Sequence, residues 1–255
     1  MKLISYNVNG IRAALKKDLI PWIEKEQPDY LCIQETKSQP DQIPEEIFSD
    51  LGYEAHWHSA EKKGYSGVLT LSKGSADHVH MGMGKKKYDV EGRVLRTDFG
   101  DWTLVNLYLP SSTSGEERHL YKMDFLKDFG RWARKLLKER EKLIIVGDYN
   151  IVRLDKDIHN PQRKDKPPGF RAEERAWIQK YFKKDFHDAF REVHPDEEDN
   201  YSWWSYRMGA RKNNKGWRID YVAVSPALKD SIQSARHAHE VIHSDHAAVV
   251  VEFDF

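Results

Sequence analysis

The stretch Lys142–Leu143–Ile144–Ile145–Val146–Gly147–Asp148–Tyr149–Asn150 decides how the rest of the chain reads. Its apolar, β-branched run predicts a strand buried on both faces. A glycine breaks the run, and Asp148 and Asn150 follow with one residue between them. In extended backbone alternate side chains face the same way, so these two would project together from the strand's end. A carboxylate beside a carboxamide at a sheet edge suits metal-bound water and phosphate oxygens. The competing reading is a plain turn, where Asp and Asn are both common. Other strands ending in similar residues shift the balance toward a site.

Outward from there, Lys2–Tyr6 reads as a strand with Asn7–Val8–Asn9–Gly10 as its exit, and Asp29–Gln34 as another, ending in Glu35. Ile11, Leu15, Leu19, Trp22 and Ile23 predict a helix to Glu26 that Pro21 kinks or restarts. Pro40 to Leu51 reads as a short helix stopped by Gly52. Strands are expected over 53–58 and 68–72 around the loop Gly64–Gly67, and over 93–99 and 102–108 as an antiparallel pair. Glu116 to Arg140 is the longest helical segment, with Leu120, Phe125, Phe129, Trp132, Leu136 and Leu137 on one side. Residues 155–169 carry three prolines and no periodicity, which predicts a long surface loop. A helix over Ala172–Tyr181 follows, then two last strands over 219–225 and 249–253. Without repeats or composition breaks, residues 1–255 read as one α/β domain.

The 41 basic and 41 acidic residues cancel, so binding to nucleic acid would rest on local patches. Lys62–Lys63, Lys85–Lys87, and Arg207, Arg211, Lys212 and Lys215 are the candidates, although charge runs are usually solvated surface. The lone Cys32 excludes a disulfide framework and fits a reducing compartment. With no signal-peptide pattern and no apolar run of spanning length, a cytoplasmic, non-membrane protein is expected.

Strand ends now collect Asn7, Asn9, Glu35, Tyr108, Asp148, Asn150, Asp220, Asp245 and His246, and sites in open α/β sheets gather there. Each has a plainer reading: Asn7 or Asp245 as a cap, Glu35 as a solvated charge. Asp220 is harder to dismiss, because it interrupts a strand-like run and a buried carboxylate needs a partner. A histidine is the obvious one. Sparse Cys and His argue against zinc, whereas oxygen donors suit Mg²⁺ or Mn²⁺. Neither a Gly-rich phosphate loop nor a serine elbow is present.

Six blocks together resemble the signatures of the exonuclease III family, the Mg²⁺-dependent abasic-site (AP) endonucleases of base excision repair. They are Asn7–Ala13, Leu31–Lys37, Gly64–Val68, Gly147–Asn150, Gly216–Tyr221 and Ser244–His246, in the family's order. The resemblance implies a DNase I-like four-layer α/β sandwich, two packed mixed sheets flanked by helices. It implies a monomeric enzyme that hydrolyses the phosphodiester 5′ to an abasic site in duplex DNA. Action on blocked 3′ ends, as 3′-phosphodiesterase, 3′-phosphatase and 3′→5′ exonuclease, comes with it. By matching position Glu35 is the principal metal ligand, with Asn7 and Asp245, and with Asp148 and Asn150 close by. Asp148 and Asn150 would activate and hold water, and Tyr108 and His246, the latter oriented by Asp220, would contact the phosphate. Gly169, Trp203, Arg207, Trp217 and Ile219 would border the DNA and the pocket for a flipped abasic sugar. Departures are Asn9 for Asp, Tyr149 for Phe, Ser111 for Asn, and Ala247–Ala248 after His246, where Pro is usual before the strand. Two other readings are a different metal-dependent phosphoesterase on the same scaffold, and a nucleic-acid-binding protein without catalysis. The block Gly216–Tyr221 disfavours the first; the presence of Glu35, Asp148, Asn150 and His246 together disfavours the second.

Overall fold

The computed structural model describes residues 1–255. One six-stranded sheet is built from β1 (Lys2–Asn7), β2 (Tyr30–Gln34), β3 (Glu54–His58), β4 (Val68–Ser72), β11 (Ile232–Ala238) and β12 (Ala248–Phe253), in the order β11-β12-β1-β2-β4-β3. The other contains β5 (His78–Met81), β6 (Val94–Phe99), β7 (Trp102–Tyr108), β8 (Lys142–Asp148), β9 (His187–Asp188) and β10 (Asp220–Val224), in the order β5-β6-β7-β8-β10-β9. Helices α1 (Ile11–Leu15), α2 (Leu19–Glu26) and α3 (Glu46–Ser49) accompany the first sheet, α4 (Lys86–Asp89), α5 (Glu116–Glu139) and α6 (Ala172–Lys184) the second, and α7 (Ala189–Val193) packs against β11 of the first and β10 of the second. No helix is long and apolar enough to cross a membrane.

Period-2 alternation explains the layering. In β8, Ile144 and Val146 meet Leu3, Cys32, Val249 and Val251 of the facing sheet, while Leu143 and Ile145 meet Phe125, Phe129 and Ile178 of α5 and α6. With both faces covered, every position of the run is apolar. Gly147 does not break the strand. It sits at φ 145°, and a Cβ there would lie 1.7 Å from the Leu107 carbonyl oxygen of parallel β7, so only glycine lets the strand run on to Asp148.

Register brings the strand ends together. β1 and β2 run parallel with Asn7 beside Gln34, and β7 and β8 run parallel with Tyr108 beside Asp148. β10 runs the other way and opens with Asp220 opposite Asp148. β12 is antiparallel to β1, so the segment before it, with Asp245 and His246, arrives at the same end.

Several local expectations are corrected. The helix expected over 11–26 is two, separated at Asp18 (φ 63°), and Pro21 lies in the first turn of α2, so it restarts the helix rather than kinking it. The helix expected over 40–51 reduces to a 3₁₀ turn at Pro40–Gln42 and the single turn α3, because Pro44 cannot donate between them. Leu120 is 62% exposed, and the buried face of α5 instead carries His119 and Lys122 ahead of Phe125 and Phe129. Strand β11 intervenes between the two strands expected to be last. It pairs with β12 at the edge of its sheet, and its polar sequence hides it from period-2 reading.

Candidate active site

Asp148 is buried at the convergence of these strand ends. Its Oδ1 accepts from the Asn150 backbone N–H (2.7 Å), and its Oδ2 accepts from the Asn7 amide (2.9 Å) and the Asn150 amide (3.1 Å). Asn150 has φ 51° and also donates to the Leu109 carbonyl (3.0 Å). The stretch is therefore a turn and a site at once: the Asx-type hydrogen bonds that shape the turn fix both Asp148 oxygens. Burial pushes the Asp148 carboxyl well above its usual range, Asp220 and Glu35 add to the push, and His246 opposes it.

Glu35 also sits at positive φ, 51°, a conformation a long side chain adopts only when its surroundings impose it. One oxygen accepts from the Asn7 amide (3.0 Å), and the other pairs with Lys37 (2.7 Å). Burial acts upward on Glu35, but the Lys37 charge and the Asn7 hydrogen bond outweigh it and hold the carboxyl below its usual range. Asn7 thus bridges the two carboxylates.

His246 presents Nδ1 to Asp220 Oδ2 at 2.9 Å and Nε2 to Asp148 at 3.9 Å. Burial would lower its pKa, yet the Asp220 charge and hydrogen bond prevail and raise it, so the ring is an imidazolium at neutral pH. Asp220 Oδ2 also accepts from Ser202 (2.6 Å), whose hydroxyl in turn receives the Ile219 and Asp220 backbone N–H groups. Asp220 Oδ1 is buried without a partner. Tyr108 is buried under the Arg93 guanidinium, 4.7 Å from its ring centre; burial and nearby Glu35 raise its pKa and keep the phenol neutral.

These groups open into a cleft of about 500 Å³ that is also lined by Ser111, Thr113, Arg163, Gly169, Trp203, Trp217 and Ile219. Trp203 and Trp217 pair through their backbones, with rings 5.7 Å apart edge to face. Asp245 accepts from Asn9 (2.9 Å) and from the Trp203 indole (3.0 Å). An Asp at position 9 could not make the first of these bonds. Tyr149 is accommodated in the core, where its hydroxyl donates to the Ile145 carbonyl. Gly169 has φ 86°, and a Cβ would approach the Asn150 carbonyl at 2.9 Å and the Trp217 ring at 3.2 Å. Any larger residue there would disturb those neighbours as well as narrow the cleft.

Arg207 begins an exposed 3₁₀ turn and is not among the lining residues. Arg211 is committed to the carbonyls of Ser244, Val241 and His239, bracing the loop that carries Asp245. Lys85 and Lys87 are paired with Asp128 and Asp124. Sequence reasoning missed Lys37, Ser202 and Arg163. Lys37 lay within a motif block, but Ser202 and Arg163 carry no local signal.

An oxygen of Glu35, an oxygen of Asp148 and a ring nitrogen of His246 lie within 4.8 Å of one another. With Nδ1 of His246 taken up by Asp220, Glu35 and Asp148 offer the hard oxygen donors. That donor set fits a divalent metal ion. Asp245 lies outside this group, with its oxygens engaged by Asn9 and Trp203.

Residues 4–246 match the family model described as the Endonuclease/Exonuclease/phosphatase family. The chain belongs to this family of hydrolytic nucleases. Within it, the chain is 39% identical to an exodeoxyribonuclease of Bacillus subtilis, covering 98% of both chains. It is 37% identical to the DNA repair nuclease APEX1 of Danio rerio, covering 98% of this chain and 81% of that one. An AP endonuclease from Archaeoglobus fulgidus superposes with a TM-score of 0.90 at 29% identity, covering 100% of both chains. A Neisseria 3′ phosphatase bound to a product DNA hairpin superposes with a TM-score of 0.92 at 27% identity, again covering 100% of both. Family members are metal-dependent, and Glu35, Asp148 and His246 here form a group that can hold such an ion.

Proposed function

We propose that this chain is a Mg²⁺-dependent AP endonuclease, with Mn²⁺ an alternative ion. On this reading it hydrolyses the phosphodiester 5′ to an abasic site in duplex DNA and also clears blocked 3′ ends as 3′-phosphodiesterase, 3′-phosphatase and 3′→5′ exonuclease. The observation that carries it is the junction of Asp148 and Asn150 with the His246–Asp220 pair, beneath a cleft walled by Trp203, Trp217 and Ile219. Exodeoxyribonuclease and DNA-repair relatives support the choice of DNA.

Asp148 accepts the proton of the attacking water, and its raised basicity suits that task. Asn150 orients the same water. His246 as imidazolium and Tyr108 as a neutral phenol donate to the phosphoryl oxygens, where negative charge develops. The bond to the 3′ oxygen then breaks, its electron pair leaves on that oxygen, and the oxyanion takes a proton from solvent to become the 3′-hydroxyl. A divalent ion held by Glu35, with Asp148, Asn150, Asn7 and Asp245 at hand, supplies further neutralisation of phosphoryl and leaving-group charge. The aromatic wall receives the extruded sugar, and an unpaired abasic site costs least to flip. Residues 1–255 act as one domain, as a monomer, in the cytoplasm.

The test is cleavage of a duplex oligonucleotide bearing one abasic-site analogue, with Mg²⁺ and with chelator. Mg²⁺-dependent incision 5′ to the lesion is expected, and Glu35→Ala should lower turnover and weaken the Mg²⁺ response. A Glu35→Ala enzyme that matches wild type across a Mg²⁺ titration would remove Glu35 from the metal site.

A further inference from the structure

Behind the cleft, Lys122 of α5 and Glu174 of α6 form an ion pair at 2.7 Å, with both side chains 0% exposed. A pair this deep is a poor source of stability, because desolvation offsets the attraction. What it holds is more informative. Lys122 Nζ donates to the Asn150 carbonyl at 2.8 Å. Glu174 Oε1 accepts from the Ser112 hydroxyl at 3.2 Å, and Oε2 accepts from the backbone N–H groups of Gly169 (2.7 Å) and Arg171 (3.1 Å). Ser112, Asn150 and Gly169 lie on three separate segments, following β7, following β8 and preceding α6, and all three line the cleft.

We infer that Lys122 and Glu174 are positioning residues that lock these three segments together and, through the Asn150 carbonyl, set the left-handed turn whose amides fix both Asp148 oxygens. The inference rests on the proposed role of Asp148 and Asn150. It also explains why α5 buries a lysine on its apolar face, a placement costly for packing alone.

The test separates positioning from stability. The double variant Lys122→Met/Glu174→Leu removes both charges at similar volume, so neither is left as an uncompensated buried charge. We expect a lower melting temperature, because the Asn150 carbonyl, the Ser112 hydroxyl and the Gly169 and Arg171 N–H groups lose their partners, and, assayed well below it, kcat on the abasic-site duplex down roughly 10- to 100-fold with KM little changed. A folded double variant with wild-type kcat overturns the inference, as does a loss confined to KM. If the double variant does not fold, Glu174→Gln decides. Its single acceptor oxygen cannot serve both donor sets, so kcat should again fall, and a folded Glu174→Gln with full kcat overturns the inference. Wild-type enzyme is run alongside: if it fails to cut the duplex, the functional reading itself falls, whereas full cutting by wild type and variant alike removes only the positioning role.

Discussion

Two buried charge clusters flank the start of β10, and they are built on opposite terms. On one side Arg218, 0% exposed, makes paired hydrogen bonds to Asp157 (2.9 and 3.0 Å) and Asp188 (3.1 and 2.7 Å). Arg191 also reaches Asp157, and Arg153 reaches Asp188. Two carboxylates face three guanidinium groups. Burial acts upward on Asp157, but Arg218 and Arg191 prevail and hold it at about 2. On the other side the three carboxylates of Glu35, Asp148 and Asp220 have two ion-pair partners, Lys37 and His246. There Asp148 is driven up, and one Asp220 oxygen has no partner. The first cluster is finished by the chain itself and braces the segment leading into Asp220. The second is left short of positive charge, a deficit that a metal cation can fill.

The largest expected effect tests the finished cluster. Arg218→Met leaves Asp157 to Arg191 and Asp188 to Arg153 and removes the four hydrogen bonds of the buried guanidinium; it should cost about 3–5 kcal/mol, read by urea unfolding at pH 7. A cost under about 1 kcal/mol would mean the cluster is not a structural brace.

Asp148→Asn tests the unfinished one. Incision should slow at least ~100-fold, with duplex affinity little changed. A rate loss below about tenfold would reassign Asp148 to the turn alone.

The contrast also predicts a pH signature. The Asp157 pKa is depressed from 3.8 to about 2, so its stabilisation is complete above the unfolded value and lost as pH falls through the folded one. That contribution is about 2 kcal/mol. Unfolding free energies measured between pH 5 and pH 2 should therefore decline less steeply in Asp157→Asn than in wild type. Parallel declines would place the acid sensitivity elsewhere.

The smallest effect is a shift in profile. With His246 held protonated by Asp220, incision should fall at alkaline pH as that proton leaves. Asp220→Asn removes the stabilising charge and should move the falling limb to lower pH. A limb that stays in place would separate the two residues.

The local pattern of the chain was enough for the strands that matter most. A β-branched run with polar residues at its end marks β8, and the same reasoning found β1, β2 and β10, because alternation and burial are properties of a few consecutive residues. The motif blocks likewise pointed to Glu35, Asp148, Asn150, Asp220 and His246, which the fold brings to one end of the two sheets. Tertiary structure alone decided what each polar residue does there. Within Gly216–Tyr221, Trp217 and Ile219 line the cleft while Arg218 is spent in the core. Arg211, read as a DNA cation, is a loop brace, and Ser202 and Lys122 acquire their partners from segments 18 and 52 positions away. Such roles depend on sheet register and helix docking, which set the distances between groups remote in sequence, and no window of neighbouring residues contains those distances.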